Sequence, residues 1–424
     1  MTAVLAPLRT SSLDSLRKSE TPMTFDSSRE PLAGNAAHLR RLNLDRVLGV
    51  VMEQADPFTR AELIAATGLS APTVGSLVSD LIKSGVVREL GAAPSRGGRR
   101  PASMEFNARH GFIAAIDLGP TRTRLAVADL RGEAIAHSVI DTPAKGTPEA
   151  MLGRLATAAR KLMKQAGVPF ERLIAVGAGA PGAVAWDSGV VNHAPNLGWS
   201  QVPMRAILER ELGVPVVVEN DVNLAVLAER WRGAAQGQQT CVYITVGTGI
   251  GAGIIVDGIL HRGHHSMAGE ISFLCMSPEH LDAQPPGWLE SRASLKALTA
   301  RAPRAARRDP ARWLSEVLRG GGPGDRRTRK AVEQAAALIG MAVANLSVVI
   351  DPSLVVVAGA LMAEDLPVVP EVRRIVKRVV PSPPEIVPSA LGKEAPLWGC
   401  VLVAANEARR QVRLHLRGTA RVSA

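Results

Sequence analysis

The chain reads Val-Tyr-Ile-Thr-Val-Gly-Thr-Gly-Ile-Gly-Ala-Gly over residues 242–253. This apolar, strand-like run leads directly into alternating glycines, which let backbone N–H groups approach a phosphate closely. A second run reads Ala-Ala-Ile-Asp-Leu-Gly-Pro-Thr over residues 114–121, where an acidic residue, a glycine and a hydroxyl can gather around phosphate and magnesium. Either stretch alone fits an ordinary glycine-rich turn. Because strand and helix patterns alternate from Phe112 onward, the two together predict an α/β domain with a ligand cleft.

Further polar side chains follow the strand-like run at residues 216–218. Glu219, Asn220 and Asp221 come directly after it, and Asn196 lies in an earlier Pro-Asn-Leu-Gly-Trp segment. Polar groups at the carboxyl end of a strand suit a ligand cleft. A carboxylate there could take a proton from a sugar hydroxyl that attacks ATP, which makes Asp221 the candidate catalytic base. The alternative is that Asn220 and Asp221 only cap the helix that follows them.

The overall composition indicates a multidomain protein with a basic surface. A chain of 424 residues suggests two or three domains, and 46% hydrophobic residues are ample for a sizeable core. The net charge of +11 favours a polyanionic partner such as DNA, although an arginine-rich surface without such a role has the same composition. Three cysteines without a Cys-x-x-Cys pair indicate a reducing cytoplasm. The sequence has neither a secretory-type leader nor an apolar run of about 18 residues, which predicts no membrane association.

Changes in composition along the chain predict four parts. Residues 1–36, rich in Ser, Thr, Pro and charge, are expected to form a disordered arm. Residues 37–109 are expected to form a small helical domain and residues 110–408 the α/β domain, within which the Arg-, Pro- and Gly-rich segment 301–330 is expected to be an exposed excursion. Residues 409–424 are expected to form a basic C-terminal tail, made of a helix end and a frayed terminus. No repeat of about 20–50 residues is visible.

The segment 59–90 carries the signals of a helix-turn-helix. Thr59 and Glu62 fit a capping box that starts one helix, and Gly68 supplies the turn that ends it. Ser70 can cap a second helix. The apolar residues of that helix recur with the spacing of one buried face, at Val74, Leu77, Val78, Leu81 and Ile82. Strand-like runs at 86–90 and 102–106 would form a wing beside the two helices.

This arrangement predicts a winged-helix domain that binds double-stranded DNA. The candidate DNA contacts lie on the outer faces of the second helix and at the wing tip, namely Pro72, Thr73, Ser76, Lys83, Arg96, Arg99 and Arg100. Arginines at a wing tip can bind phosphate or enter a narrow minor groove. The stretch resembles the winged-helix domain of transcriptional regulators, but Ser76 stands where such regulators often carry arginine, so weaker base readout is expected there. The alternative is a small helical interaction domain with a solvated basic loop.

Taken together, the motifs resemble the ROK family, which groups sugar kinases with transcriptional repressors. The likeness covers roughly residues 40–408 and matches the repressor branch in layout, because that branch carries an N-terminal winged helix. It implies an actin-like (ribonuclease H-like) fold, in which two α/β lobes are hinged around a cleft. The resemblance implies phosphate-loop roles for Asp117, Gly119, Thr121, Gly247, Thr248, Gly249, Gly251 and Gly359. It implies sugar-contacting roles for Asn196, Asn220, Asp221, Glu270 and Glu290.

Three departures from the family pattern oppose kinase activity. The family motif Glu-x-Gly-His reads Glu-Ile-Ser-Phe at residues 270–273, and Phe273 can neither ligate zinc nor hydrogen-bond a sugar through its ring. The cysteine-rich zinc loop is missing, with Trp288 in place of its last cysteine, and apolar packing by Phe273 and Trp288 is expected to replace the metal. Pro120 replaces a glycine in the first phosphate loop and removes an N–H donor.

The sequence therefore predicts a sugar-responsive, DNA-binding transcriptional regulator of the repressor type in the cytoplasm. The expected partners are a double-stranded DNA operator, a sugar or sugar derivative, and further copies of this chain in a homodimer or homotetramer. No cofactor and no structural zinc are expected, and the departures count against Mg-ATP. Two alternatives stay open: an ATP-dependent sugar kinase that also binds DNA, with Asp221 as its base, and a constitutive DNA-binding protein with an inert cleft.

Overall fold

The computed structural model describes residues 32–92, 102–143, 146–276, 278, 287–300, 309–318, 325–363 and 366–419. Three helices and a wing come first, as α1 (Leu32–Glu53), α2 (Arg60–Thr67), α3 (Ala71–Lys83), β1 (Val87–Ala92) and β2 (Ala102–Phe106). β1 and β2 pair antiparallel, and Phe58 forms an isolated bridge to Met104 of β2. Leu63, Leu77 and Phe106 are among the apolar side chains that this N-terminal domain buries.

The helix signals of this domain are confirmed. Thr59 Oγ1 accepts a hydrogen bond from the Glu62 N–H, and the Glu62 carboxylate accepts one from the Thr59 N–H at 2.7 Å. Gly68 ends α2 with a φ of 66°, in the left-handed region that a Cβ atom disfavours. Ser70 caps α3. Of the five apolar residues expected to face inward on α3, four are buried and Ile82 is half-buried against the same core.

A first α/β lobe follows the N-terminal domain. Its elements are β3 (Phe112–Leu118), β4 (Arg122–Asp129), β5 (Ala134–Asp141), α4 (Pro148–Gln165), β6 (Leu173–Ala180), β7 (Ala183–Ala185), β8 (Val190–Ala194), β9 (Trp199–Val202), α5 (Met204–Leu212) and β10 (Val216–Asn220). The main sheet has the order β10-β6-β3-β4-β5, and its central strand β3 is buried along its whole length, as an apolar strand covered on both faces should be. β7, β8 and β9 form a separate antiparallel sheet.

A second lobe has its own five-stranded sheet. After the linking helix α6 (Asp221–Arg232), its elements are β11 (Cys241–Val246), β12 (Ile250–Val256), β13 (Ile259–Leu260), α7 (Trp288–Ala293), α8 (Leu295–Thr299), α9 (Pro310–Leu318), α10 (Asp325–Ile350), β14 (Leu354–Ala358), α11 (Val368–Val379) and β15 (Glu385–Pro388). The strand order is β13-β12-β11-β14-β15.

The two lobes repeat one topology. In each, three consecutive strands form an antiparallel meander, a fourth strand joins the first in parallel, and a fifth joins the fourth in parallel. This is the two-lobed, actin-like arrangement that the sequence predicts. The internal duplication was not visible as a sequence repeat, because different residues satisfy the same strand pattern in each lobe.

The last helix, α12 (Ala395–Thr419), packs against α6 and against the first lobe. A Cβ atom on Gly399 would overlap the backbone carbonyl of Leu224 in α6, and one on Gly177 of β6 would overlap the carbonyl of Cys400. Cys400 Sγ also lies 3.4 Å from the Ile116 carbonyl oxygen of β3. Glycine thus brings α12 into direct backbone contact with the elements that bear the cleft residues.

The far end of α12 joins the N-terminal domain. Val412 and Leu416 are buried in the same apolar cluster as residues of α1, and Arg417 donates from Nε to the Asp45 carboxylate of α1 at 3.0 Å. The tail predicted for 409–424 is therefore helical up to Thr419 and packed through Arg417, because its apolar residues recur with helical spacing. Residues 32–36, assigned to a disordered arm, belong to α1; the remainder of that arm lies outside the described residues.

The predicted excursion at 301–330 is also only partly right. α9 occupies residues 310–318 and buries Leu314 and Val317, and α10 begins at Asp325. Among the helices of the described chain, α10 is long and apolar enough over residues 326–350 to cross a membrane. Its side chains Val332, Ile339 and Val343 are buried in the apolar core of the second lobe.

Candidate functional site

A cavity of about 340 Å³ lies between the two lobes. The first lobe contributes the loop after β6, the end of β8 and the junction of β10 with α6, and the second lobe contributes the turn between β11 and β12 and residues near 270. The polar side chains that line it are His193, Asn196, Asn220, Asp221, Thr245, Thr248, Glu270, Ser272 and Glu290. The fold thus brings together all five residues predicted to contact a sugar.

Asn220 is held mainly by its own helix. Its Oδ1 accepts hydrogen bonds from the N–H groups of Val222 and Asn223 at 2.9 and 3.0 Å, and its Nδ2 donates to the Gly182 carbonyl oxygen at 2.8 Å. Asn220 therefore caps α6, which is the alternative role that the sequence left open for it. One amide hydrogen remains for a ligand.

Asp221 occupies the first turn of α6 and lines the cavity. Its Oδ1 accepts a hydrogen bond from the Val222 N–H at 2.9 Å. Burial raises the pKa of Asp221 to about 7, with a further contribution from the charge of Asp117. Near neutral pH both protonation states are populated, so this side chain can accept a hydrogen bond from a sugar hydroxyl or donate one to it.

Glu270 and Glu290 enter the cavity from the second lobe. Glu290 Oε2 accepts a hydrogen bond from the Ile250 N–H at 2.9 Å, directly beside Gly249. Gly269 has a φ of 90°, and a Cβ atom there would overlap the Ala252 carbonyl oxygen, so the turn that presents Glu270 requires glycine. Burial raises the pKa of Glu270, and the nearby charge of Glu290 adds to the rise. Three acidic groups therefore face one cavity.

The carboxylate of the first predicted phosphate motif, that of Asp117, already forms an ion pair with an arginine. Asp117 is only 3% exposed and accepts a hydrogen bond from Arg124 Nη1 at 3.1 Å, while Arg124 Nε lies 3.3 Å from a Glu394 carboxylate oxygen. Burial raises the pKa of Asp117 to about 6, against the opposing effect of Arg124. The adjacent Pro120 offers no N–H group. This ion pair opposes the binding of Mg-ATP, because the carboxylate that would face magnesium is already paired with a cation.

The predicted phosphate-loop residues divide into three groups. Gly247, Thr248, Gly249 and Gly251 line the cavity. Gly359, with a φ of 97°, packs against the backbone of Val246 at the end of β11. Asp117, Gly119 and Thr121 lie beside the cavity rather than in its lining.

The position of the family's zinc motif is apolar and open. Phe273 is 49% exposed and lines the cavity, so the expectation that it packs in place of the metal is wrong. Trp288 does pack against the apolar core of the second lobe. Among the described residues, no group of three or more His, Cys, Asp or Glu side chains could hold a metal ion.

The sequence did not single out Arg124, His193 or Met267, although all three belong to this region. Arg124 had a usable signal. β3 and β4 are joined by a short turn, and in the resulting hairpin Asp117 and Arg124 are directly opposite each other. A charged pair at matching positions of two apolar strands indicates an ion pair, and that pairing could have been predicted.

The candidate DNA contacts of α3 are largely accessible. Pro72, Ser76 and Lys83 are exposed and Thr73 is half-buried, with its N–H and hydroxyl engaged by Ser70. Arg96, Arg99 and Arg100 lie outside the described residues, so their role at the wing tip stays a prediction.

Comparison with known proteins agrees with this architecture. The ROK family profile matches residues 113–407. A xylose repressor of Caldicellulosiruptor bescii is 30% identical over 337 residues, which cover 76% of this chain and 84% of the relative. The crystal structure of a ROK hexokinase from Thermus thermophilus, 34% identical, covers 70% of this chain and 99% of its own with a TM-score of 0.59.

A second solved structure extends the likeness of fold to the N-terminal domain. It is a ROK family transcriptional regulator described as a homologue of the E. coli MLC protein. It covers 90% of this chain and 99% of its own, with a TM-score of 0.72 and 22% identity. The matched family profile, the two repeated lobes and the cleft between them lead to one conclusion: the chain belongs to the ROK family.

Proposed function

We propose that this protein is a sugar-responsive transcriptional repressor of the cytoplasm, whose cleft binds the effector and whose N-terminal domain binds operator DNA. The coexistence of three features in one chain carries the proposal. The cavity keeps three acidic side chains, Asp221, Glu270 and Glu290. The Asp117 carboxylate, which a kinase would use near magnesium, is paired with Arg124. The N-terminal domain carries a helix-turn-helix with an exposed outer face. The relative named a xylose repressor supports this function.

The effector is proposed to act through lobe closure. A sugar that binds both lobes favours the closed cleft, and closure changes the spacing of the two N-terminal domains in a homodimer or homotetramer. Such coupling requires that the sugar bind one of the two states more tightly. Because α12 contacts both α6 and α1, a change in the cleft has a direct packed route to the DNA-binding domain.

Sugar is expected to weaken operator binding by about fivefold to 150-fold, the usual range of coupling between two sites. The operator would first be selected from random duplexes with the purified full-length chain. Fluorescence anisotropy would then give its affinity with and without a panel of pentoses and hexoses. An affinity that no sugar changes, for a protein that does bind its selected duplex, would favour the constitutive DNA-binding protein with an inert cleft.

The effector is proposed to be an uncharged sugar rather than a sugar phosphate. Three carboxylates line the cavity, and no lysine or arginine of the described chain does. Like charges a few ångströms apart inside a protein repel by several kcal/mol, even at an effective dielectric constant of about 20. We expect glucose 6-phosphate to bind at least about a hundredfold more weakly than the best neutral sugar, as measured by calorimetry. Equal or tighter binding of the phosphate ester would contradict this assignment.

The sugar-kinase alternative keeps some support from Asp221, from the glycines that line the cavity, and from the likeness to a ROK hexokinase. The pairing of Asp117 with Arg124 opposes it. With Mg-ATP and the sugars that bind, no sugar-dependent release of ADP is expected. Release of ADP that Asp221→Asn abolishes would place the kinase first.

A further inference from the structure

The exposed face of α3 carries little charge for a helix that reads DNA. Its solvent-facing side chains, spaced by about one helical turn, include Pro72, Ser76, Ser79 and Lys83. Ser79 donates its hydroxyl to the Gly75 carbonyl oxygen of its own helix. This leaves Lys83, in the last turn, as the cation among these four. Arginine or lysine makes the commonest specific contact to guanine, so a second such contact by this face needs a cation from elsewhere.

A neighbouring helix supplies that cation. Arg40 of α1 lies across α3, with its Nη1 3.5 Å from Ser76 Oγ and its Nη2 paired with the Asp80 carboxylate. Ser76 and Asp80 are one helical turn apart, so the guanidinium lies against α3 beside the position where related regulators often carry arginine. The side chains of Arg40 and Asp80 are each 46% exposed. The guanidinium is therefore accessible at the edge of the outer face of α3.

We propose that Arg40 is a DNA-contacting residue of this protein and that Asp80 orients it toward a guanine edge. The inference rests on the proposed DNA-binding function. A guanidinium has five N–H donors in a planar fork. A carboxylate can fix one side of the fork and leave the remaining donors for the two acceptors of guanine in the major groove. An exposed ion pair adds little to stability, so a purely structural role would explain little of this arrangement.

Arg40→Ala is expected to weaken binding to the selected operator by about tenfold or more, and binding to random duplex by only a few-fold. Arg40→Lys keeps the charge but loses the fork, so it should behave like Arg40→Ala on the operator. The matched control is Arg374→Ala, which removes an exposed, ion-paired arginine from α11 in the second lobe and should leave both affinities unchanged.

The Asp80→Asn variant tests whether Arg40 contacts a guanine base or only a phosphate. If Asp80 orients Arg40 toward a base, the ratio of operator affinity to random-duplex affinity falls several-fold. If Arg40 only binds phosphate, loss of the nearby negative charge strengthens both affinities and Arg40→Lys binds like wild type; either result overturns the base-reading role. Unchanged operator affinity in Arg40→Ala overturns the DNA contact itself.

Failure of the wider proposal would look different. If the wild-type chain selects no duplex sequence, the proposed function fails before any variant is compared. Thermal unfolding of each variant within about 2 °C of wild type would show that the fold is intact, as expected for exposed residues.

Discussion

Replacing Asp221 with asparagine is expected to stabilise the sugar-free protein at pH 8 and to weaken its binding of sugar. Burial raises the pKa of Asp221 from 3.8 to about 7 in the folded protein. The folded state therefore binds the proton more tightly than the unfolded state, and the free energy of unfolding falls as the pH rises from about 4 to about 7. One pKa unit corresponds to about 1.4 kcal/mol, so the rise of this pKa from 3.8 to about 7 can lower the free energy of unfolding by at most about 4 kcal/mol. Since Asp221 is coupled to Asp117, we expect a gain of about 2 kcal/mol from Asp221→Asn at pH 8.

Chemical denaturation at pH 4 and pH 8 would measure this gain, which should be confined to the higher pH. Asp141→Asn, at an exposed position on β5, is the control and should change the free energy of unfolding by no more than about 0.5 kcal/mol. Sugar affinity should fall at least about tenfold in Asp221→Asn, because hydrogen bonds to a charged group are worth about 1.5–3 kcal/mol. A variant that is less stable at pH 8, or whose operator binding responds to the same sugar concentrations as wild type, would contradict the assignment of Asp221 as a half-buried acid that binds the sugar.

The second large effect is expected from Gly399→Ala. The added methyl group would overlap the Leu224 carbonyl, which belongs to backbone and cannot rotate away. α12 and α6 would have to separate, and overpacking of this kind costs about 3 kcal/mol. We expect a matching loss in the free energy of unfolding, measured by urea denaturation.

Gly153→Ala is the matched control for that variant. Gly153 lies in α4, and a Cβ atom there would meet nothing within 4 Å. Alanine at an open helical position is expected to be neutral or to stabilise by up to about 1 kcal/mol. If both glycine variants behaved alike, the contact between α12 and α6 would be looser than the backbone geometry indicates.

The predictions that the structure supports rest on local rules. A capping box needs only Thr59 and Glu62 three residues apart, and the buried face of α3 needs only helical spacing. The strand end at residues 216–218 indicated Asn220 and Asp221 directly, whereas Asn196, Glu270 and Glu290 were implied by the family resemblance, and all five line one cavity. These signals can be read from sequence because each depends on residues close together in the chain or at the end of a regular element.

What the sequence did not reveal depends on contacts between distant segments. The repeated topology of the lobes is a property of strand pairing, which many side-chain sets can satisfy. Residues 409–419 were taken for a basic tail because arginine dominates them, yet Val412 and Leu416 are buried against α1. Phe273 was expected to pack in place of the family's metal, but it is 49% exposed and lines the cavity. None of these partners is near in sequence.

The packing of α12 on α1 also has a consequence for the order in which the protein is made. Asp45 and Arg417 are 372 positions apart, and Val412 and Leu416 complete the apolar cluster of the N-terminal domain. At translation rates of about 5–20 residues per second, roughly 20–75 s separate the synthesis of α1 from that of the end of α12. During that interval the apolar side chains of α1 that α12 later covers remain open to solvent or to chaperones. A nascent chain therefore acquires its final DNA-binding domain only after both lobes have been synthesised, so a truncated product would not present a fully packed one.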